Sequence, residues 1–232
     1  MASCCFFTSN ITLQVSSVGS HEVDVVQDGT WQFIYFSPSI QYSVPLKFTS
    51  HIYEGRGPKF QLIKAFIESN KELINKYKFI WLPDDDVSIS VEDINTLYKT
   101  ANDFNLEIAQ PSMDGYVSHN ITRPVEGNIL RYTNFVEVLA PLFSLKSLLK
   151  LYHSFNFNYS SFGYDFYWPF NLGYPKNKMA ILDNITMTHT KPVGGNYDRY
   201  IKASGKTPGE EMNELLHKFN INPTQKIYSN IC

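Results

Sequence analysis

Short apolar runs and helix-spaced apolar positions alternate along the first half of the chain. "SCCFFTS" (3–9) and "WQFIYFS" (31–37) read as strands, rich in residues that suit a pleated, half-buried surface. Between them, "ITLQVSSVGSHEVDVVQDG" fits a helix or further strand equally well. "YEGRGPKF" (53–60) is a glycine-containing loop. Pro58 suits the first turn of a helix, and "KFQLIKAFIESNKELINKY" (59–77) keeps apolar residues at helical spacing. "KFIWL" (78–82) is a continuous apolar run, the pattern of a strand inside a parallel sheet. Ser90, with Asp93 three positions on, forms an N-cap signature ahead of the amphipathic "VEDINTLYKTANDF" (91–104). "LEIAQPS" (106–112) is the next strand.

After residue 112 the pattern becomes more β-like, ending in "YTNFVEVLAPLFS" (132–144). Ser144 then caps "LKSLLKLYHSF" (145–155), which puts Leu145, Leu148, Leu149 and Tyr152 on one side. "SSFGYDFYWPF" (160–170) predicts a short aromatic helix entered through Gly163. "MAILD" (179–183) and "ITMTH" (185–189) read as late strands. "PGEEMNELLHKF" (208–219) is a terminal helix with proline at its start and acids in its first turn. No repeat, low-complexity tract or linker interrupts the chain. The alternation predicts an α/β class, with helices on both faces of a mostly parallel central sheet.

Composition narrows this. With 43% hydrophobic residues among 232, the chain can bury one substantial core. A net charge of −2 and scattered Lys and Arg argue against nucleic acid as a partner. The three cysteines, Cys4, Cys5 and Cys232, include an adjacent pair and match neither a disulfide framework nor zinc-ligand spacing. A reducing compartment follows. There is no signal-peptide pattern and no apolar run long enough to span a membrane, so the expected location is cytoplasmic. The sequons at Asn10, Asn120, Asn158 and Asn184 then read as chance matches. The 15 Tyr and 17 Phe suit ordinary core packing, and also stacking on flat apolar faces such as those of sugars.

The chemistry concentrates where "KFIWL" runs into "PDDDVSIS". Three adjacent carboxylates repel one another. In an extended backbone Asp84 and Asp86 point the same way and Asp85 the other. Ligands of open α/β sheets bind beyond the carboxyl ends of the strands. Two converging carboxylates there suit Mg²⁺ or Mn²⁺, which complete their shells with water and phosphate oxygens. A solvated acidic turn is the plain alternative. An EF-hand loop fails, because counting from Asp84 puts Ile89 at its glycine position and Asn95 at its glutamate position. A haloacid dehalogenase-like phosphohydrolase also places Asp-x-Asp after an apolar strand. It needs further acids on a later strand, and Asp183 is the one candidate.

The order and spacing of "GRGPKF", "WLPDDDVSI", "LEIAQPSMDGYVSHNITR", "RYTNFVEVLAPLFS", "SFGYDFYWP" and "THTKPVGGNY" add to this. Across residues 53–197 the chain resembles GT-A glycosyltransferases. More narrowly, it resembles a glycosyltransferase-like family of bacteria and plants, whose plant members bear the label "lysine ketoglutarate reductase trans-splicing related". The chain lacks a Gly-x-Gly-x-x-Gly stretch, so no reductase is inferred from that label.

The resemblance implies a single GT-A-like (Rossmann-like) three-layer α/β/α domain over 1–232. A nucleotide-sugar half would cover about 1–112 and an acceptor half about 113–232. The chain could equally be one domain of a larger multidomain enzyme. The reaction implied is metal-dependent transfer of a sugar from a nucleotide-sugar, UDP-linked by preference, to a glycan or other hydroxyl acceptor. Asp86 and Asp84 would hold Mn²⁺ or Mg²⁺, and Asp84 and Asp85 would reach the ribose. His189 in "MTHTKPVGG" matches the place of a C-terminal metal ligand, or is a histidine bonded at a strand end. Asp165 matches the base of an inverting transfer, and Glu137 is the second carboxylate candidate. Thr8 and Ser9 would touch the nucleotide. Arg56 and Lys59 would hold the base or diphosphate, unless they are merely charged loop residues. His119 and Arg123 would face the acceptor. Phe162, Tyr164, Tyr167 and Trp168 would either stack a sugar or anchor their helix. The rival readings are the phosphohydrolase and a non-catalytic carbohydrate-binding protein.

Overall fold

The computed structural model describes residues 3–7, 12–13, 31–37, 49–54, 58–84, 86–193 and 197–232. Thr8, Ser9, Arg56 and Asp85 lie outside them, as does the undecided stretch between the first two predicted strands apart from Thr12–Leu13. The chain opens with strands β1 (Ser3–Phe7), β2 (Thr12–Leu13), β3 (Trp31–Ser37) and β4 (Thr49–Glu54). Helices α1 (Lys59–Ser69) and α2 (Lys71–Ile74) follow, then β5 (Phe79–Trp81), β6 (Val87–Ser88) and helix α3 (Val91–Asp103). Next come β7 (Ile108–Gly115), β8 (Leu130–Thr133), β9 (Leu142–Ser144), α4 (Leu145–Leu151) and α5 (Tyr164–Leu172). The chain closes with β10 (Met179–His189), α6 (Tyr197–Ser204), α7 (Pro208–Phe219) and β11 (Ile227–Ile231).

The strands form one sheet in the order β11-β8-β10-β7-β9-β5-β1-β2-β3-β4, with β6 paired on β10. It is mixed rather than mostly parallel. Among the described strands, β7–β10, β2–β3 and β3–β4 run parallel and the other pairs antiparallel. The expectation of a mostly parallel sheet rested on the apolar run 78–82. That run is apolar because β5 is covered on both faces, while its neighbours β1 and β9 both run opposite to it. Two-sided burial sets the pattern, and strand direction does not.

Both covers are visible in the core. Ile80 and Leu82 pack with Phe60, Ile63, Phe155, Tyr164 and Trp168 on one face. Phe79 and Trp81 pack with Ile94, Leu97, Tyr98 and Ala101 of α3 on the other. Alternate residues of one strand thus feed two cores, which makes three layers. Each fully buried large side chain, such as Trp81 or Trp168, contributes roughly 1.5–3 kcal/mol by leaving water.

Local chemistry explains most boundaries. Ser90 and Ser144 accept hydrogen bonds from the N–H groups of Asp93 and Ser147, which starts α3 and α4. Thr207 and Glu210 close a reciprocal capping box at the start of α7. The helix expected over 59–77 breaks at Asn70, whose side chain donates back to the Phe66 carbonyl and competes with the helical ladder. The two late strands are one, β10. Its register on β7 slips between Leu182, opposite Pro111, and Thr186, opposite Ser112. The N–H groups of Asp183 and Asn184 turn to the Ile129 carbonyl instead, forming a bulge. Among the described residues no helix is long and apolar enough to cross a membrane.

Candidate active site

β6 is only two residues long, yet it builds the centre of the site. It pairs Val87 with His189 and Ser88 with Thr188 at the carboxyl end of β10. Thr190 adds two bonds to the Asp86 carbonyl, at 2.8 Å from its N–H and 2.9 Å from its hydroxyl. This bridge carries the Asp86 carboxylate to the His189 ring, with Oδ1 3.4 Å from Nε2. The opposite ring nitrogen, Nδ1, lies 2.6 Å from the Tyr116 carbonyl. A carbonyl only accepts, so Nδ1 carries a proton. Gly115, at φ +77°, makes the approach possible, because a Cβ there would strike the His189 carbonyl.

Nε2 therefore offers Asp86 either a second proton or a lone pair. At 3.4 Å the contact is longer than a well-formed hydrogen bond, and Asp86 Oδ1 is buried with no hydrogen-bond partner among the described residues. Burial alone would push the Asp86 carboxyl up, but His189 and Lys191 outweigh it and hold it below its ordinary range. Asp86 in turn holds the imidazole above its ordinary value, against burial. A carboxylate oxygen facing an imidazole nitrogen across a gap fits a divalent cation. No trio of His, Cys, Asp or Glu among the described residues could hold one. Two protein ligands are sufficient where phosphate oxygens and water complete the shell.

Asp84 is held differently. Its N–H donates to the Leu139 carbonyl at 2.8 Å, and its Oδ1 accepts from Lys59 Nζ at 2.7 Å. The same ammonium reaches the carbonyls of Val138 and Leu139 at 2.9 and 3.0 Å. All three of its protons are engaged. Lys59 thus pins the start of α1 to the end of β5 and to the segment 138–139.

Just before that segment comes Glu137, which lies in the connection between β8 and β9 and not in the strand expected there. Its N–H donates to Gln110 Oε1 at 2.6 Å and its side chain bonds to Ser118. The other oxygen, Oε2, is buried without a hydrogen-bond partner among the described residues. Burial first, and then the nearby Asp165, push the Glu137 carboxyl up to about 8, while Ser118 and His189 oppose the shift and Asp84 adds to it. Asp165, also buried, sits in the first turn of α5 and accepts from the Phe166 N–H at 3.1 Å. Burial lifts its carboxyl to about 7 against that bond. Asp84, Asp165 and His189 are thus each within electrostatic reach of Glu137.

A pH effect on stability follows. A carboxyl raised in the folded state weighs nothing below its unfolded value, near 4.5 for Glu137. Stability then falls as pH rises towards 8, where the buried group is forced to ionise. Glu137→Gln should therefore be more stable than the wild type at pH 8.5, by on the order of a few kcal/mol, and nearly equal to it at pH 5. Melting temperatures at the two pH values check this; equal gaps at both would contradict it.

The remaining candidates sit to one side. Gln225 Nε2 donates to His119 Nδ1 at 2.9 Å, and the His119 ring packs edge-on against Phe135. Burial lowers the His119 pKa. Arg123 lies 3.7 Å from Asp114 in an exposed pair. Tyr164, Tyr167 and Trp168 are core residues and form no sugar-stacking wall, because α5 is buried from Tyr164 to Pro169. Gln110, Tyr116 and Ser118 order the site and were not singled out from sequence. Tyr116 acts through its backbone carbonyl, and the other two as ordinary polar residues, so no motif marks them.

The architecture that carries these groups is a mixed α/β sandwich of the GT-A type. It is similar to the crystal structure of GalNAc-T7 with UDP, GalNAc and Mn²⁺, at a TM-score of 0.54 and 8% sequence identity. The match covers 80% of this chain and 41% of that one, so this chain spans about two fifths of that protein's length. At this identity the likeness is one of fold. The sequence matches no protein-family model and no curated protein.

Proposed function

We propose that this chain is a metal-dependent glycosyltransferase, moving a sugar from a nucleotide-sugar to a hydroxyl of a glycan or similar acceptor. One observation carries the reading: an Asp86 oxygen with no hydrogen-bond partner among the described residues faces a histidine nitrogen beside a pair of buried carboxyls, at the ligand edge of a GT-A-type sheet. UDP is the first nucleotide to try, since the similar structure contains UDP and Mn²⁺. The bacterial and plant glycosyltransferase-like family remains the narrower assignment that the sequence motifs favour.

Asp86 and His189 would hold Mn²⁺ or Mg²⁺, which when bound offsets the charge of the nucleotide diphosphate. Asp84, braced by Lys59, lies beside them and can accept a ribose hydroxyl. Asp165 takes the proton of the attacking hydroxyl as the new bond forms at the anomeric carbon and the bond to the diphosphate breaks, which inverts the centre. A value near 7 suits a base working at neutral pH. Glu137, held protonated, can donate to a sugar hydroxyl. The phosphohydrolase reading loses its later-strand acid, because Asp183 is bound in an ion pair with Arg131.

Thermal shift with a panel of UDP- and GDP-sugars, with and without Mn²⁺, tests the proposal. A ligand at a hundred times its Kd should raise Tm by roughly 5–10 °C. Asp86→Asn should remove the Mn²⁺-dependent part. If no nucleotide stabilises the protein with metal present, the reading fails.

A further inference from the structure

Asp165 enters the site from a junction that α7 also builds. Gly163, at φ +90°, is the N-cap of α5 and offers no capping side chain. The direction in which α5 leaves, and so the place of Asp165 two residues on, depends on the turn before it. That turn, 158–163, is tied internally. Asn158 Oδ1 accepts from the Ser161 N–H at 2.8 Å, and Asn158 Nδ2 donates to the Phe162 carbonyl at 2.9 Å. Ser161 itself takes a left-handed φ of +67°.

The turn's outward hold comes from a carboxylate on α7. Glu211, 6% exposed, accepts from the Tyr159 N–H at 3.2 Å and from the Ser160 N–H at 2.7 Å, one bond to each oxygen. The next residues on that face of α7 close the other side. A Cβ on Gly163 would come within 3.1 Å of Met212 Cγ and 3.3 Å of Leu215 Cδ2. Three successive contacts of α7 thus fix the start of α5. A buried carboxylate is costly unless fully bonded, and among the described residues this one is bonded only to the turn that leads to Asp165.

We infer that Glu211 is a positioning residue for Asp165: it fixes the 158–163 turn and thereby the place from which the Asp165 carboxyl acts. The catalytic part of this inference rests on the proposed function; the positioning part does not. Glu211→Gln leaves one oxygen to accept and turns an amide N–H towards the second backbone N–H. The turn then loses a bond and gains a repulsion.

The titration of Asp165, followed by carboxyl ¹³C NMR, is the decisive measurement. Glu137 is the titratable group coupled to Asp165, and His189 and Asp84 couple to Glu137 in turn. In Glu211→Gln, loosening of the turn should admit water and bring the Asp165 midpoint down towards the ordinary carboxylate range. Glu214→Gln, which removes an exposed surface pair with Lys206, should leave it unchanged. Gly163→Ala perturbs the same junction from the other side and should move the midpoint as Glu211→Gln does. It serves as the second variant if Glu211→Gln does not fold. An unmoved Asp165 midpoint in the folded variant overturns the inference.

Kinetics then separate the two readings. Glu211→Gln should lower kcat about 10–100-fold with donor KM nearly constant, and should cost nothing further in an Asp165→Asn background. Additive losses overturn a route through Asp165. A shifted Asp165 midpoint with no nucleotide-sugar turnover in the wild type would keep the positioning and sink the proposed function.

Discussion

Replacing Arg131 by methionine should lower the stability of the fold by about 3–5 kcal/mol, read as a fall in Tm of roughly 6–20 °C. Arg131 on β8 and Asp183 in the β10 bulge form a two-pronged ion pair at 2.7 and 3.0 Å, with side chains 9% and 0% exposed. The guanidinium also donates to the carbonyls of Ile121 and Arg123, and Asp183 accepts from the Val125 N–H. Removing the arginine leaves a buried carboxylate with a single backbone donor. The expense lies in that orphaned charge, since an intact buried pair is often no better than well-packed apolar groups. Arg131→Met combined with Asp183→Leu should therefore recover much of the loss. A double-mutant cycle by urea denaturation measures it, and simple additivity would show that the two groups do not act as a pair.

Asp165→Asn should leave donor binding intact and slow transfer by about 10²–10⁴-fold, the usual worth of a general base. Asparagine keeps the shape and can still accept from the Phe166 N–H through its carbonyl oxygen. It cannot take a proton. The wild-type rate should rise with pH through about 7, as Asp165 ionises, and that limb should vanish in the variant. Retention of the limb and of the rate would remove Asp165 from the mechanism. Unchanged thermal shifts with nucleotide and Mn²⁺ would show that the loss lies in chemistry and not in binding.

Features set by neighbours in the chain were readable in advance. Ser90 and Ser144 announce α3 and α4 because a cap is a bond across three residues, and Pro58 and Pro208 mark helix starts for a similarly local reason. The alternation of β5 between two cores follows from its unbroken apolar run. What escaped depends on distant backbone. Lys59 looked like a phosphate-facing lysine, yet its ammonium is engaged by Asp84 and by two carbonyls of 138–139, and carbonyls leave no trace in side-chain patterns. Strand direction was invisible for the same reason. Gly163 was legible as a helix entry, while the carboxylate of Glu211 behind it was not, because "PGEEMNELLHKF" already made sense as an ordinary amphipathic helix.

The two-residue β6 has a consequence for how the protein comes to exist. Asp86 and Thr190, which it brings together, are 104 positions apart. A metal finger gathers its ligands within one short segment and can fold around its ion. Here Asp86 leaves the ribosome long before His189 is made, and closing so long a loop is entropically expensive. The proposed cation site therefore cannot seed folding. It forms when β10 docks, and its competence to bind reports a chain that has already found its native topology.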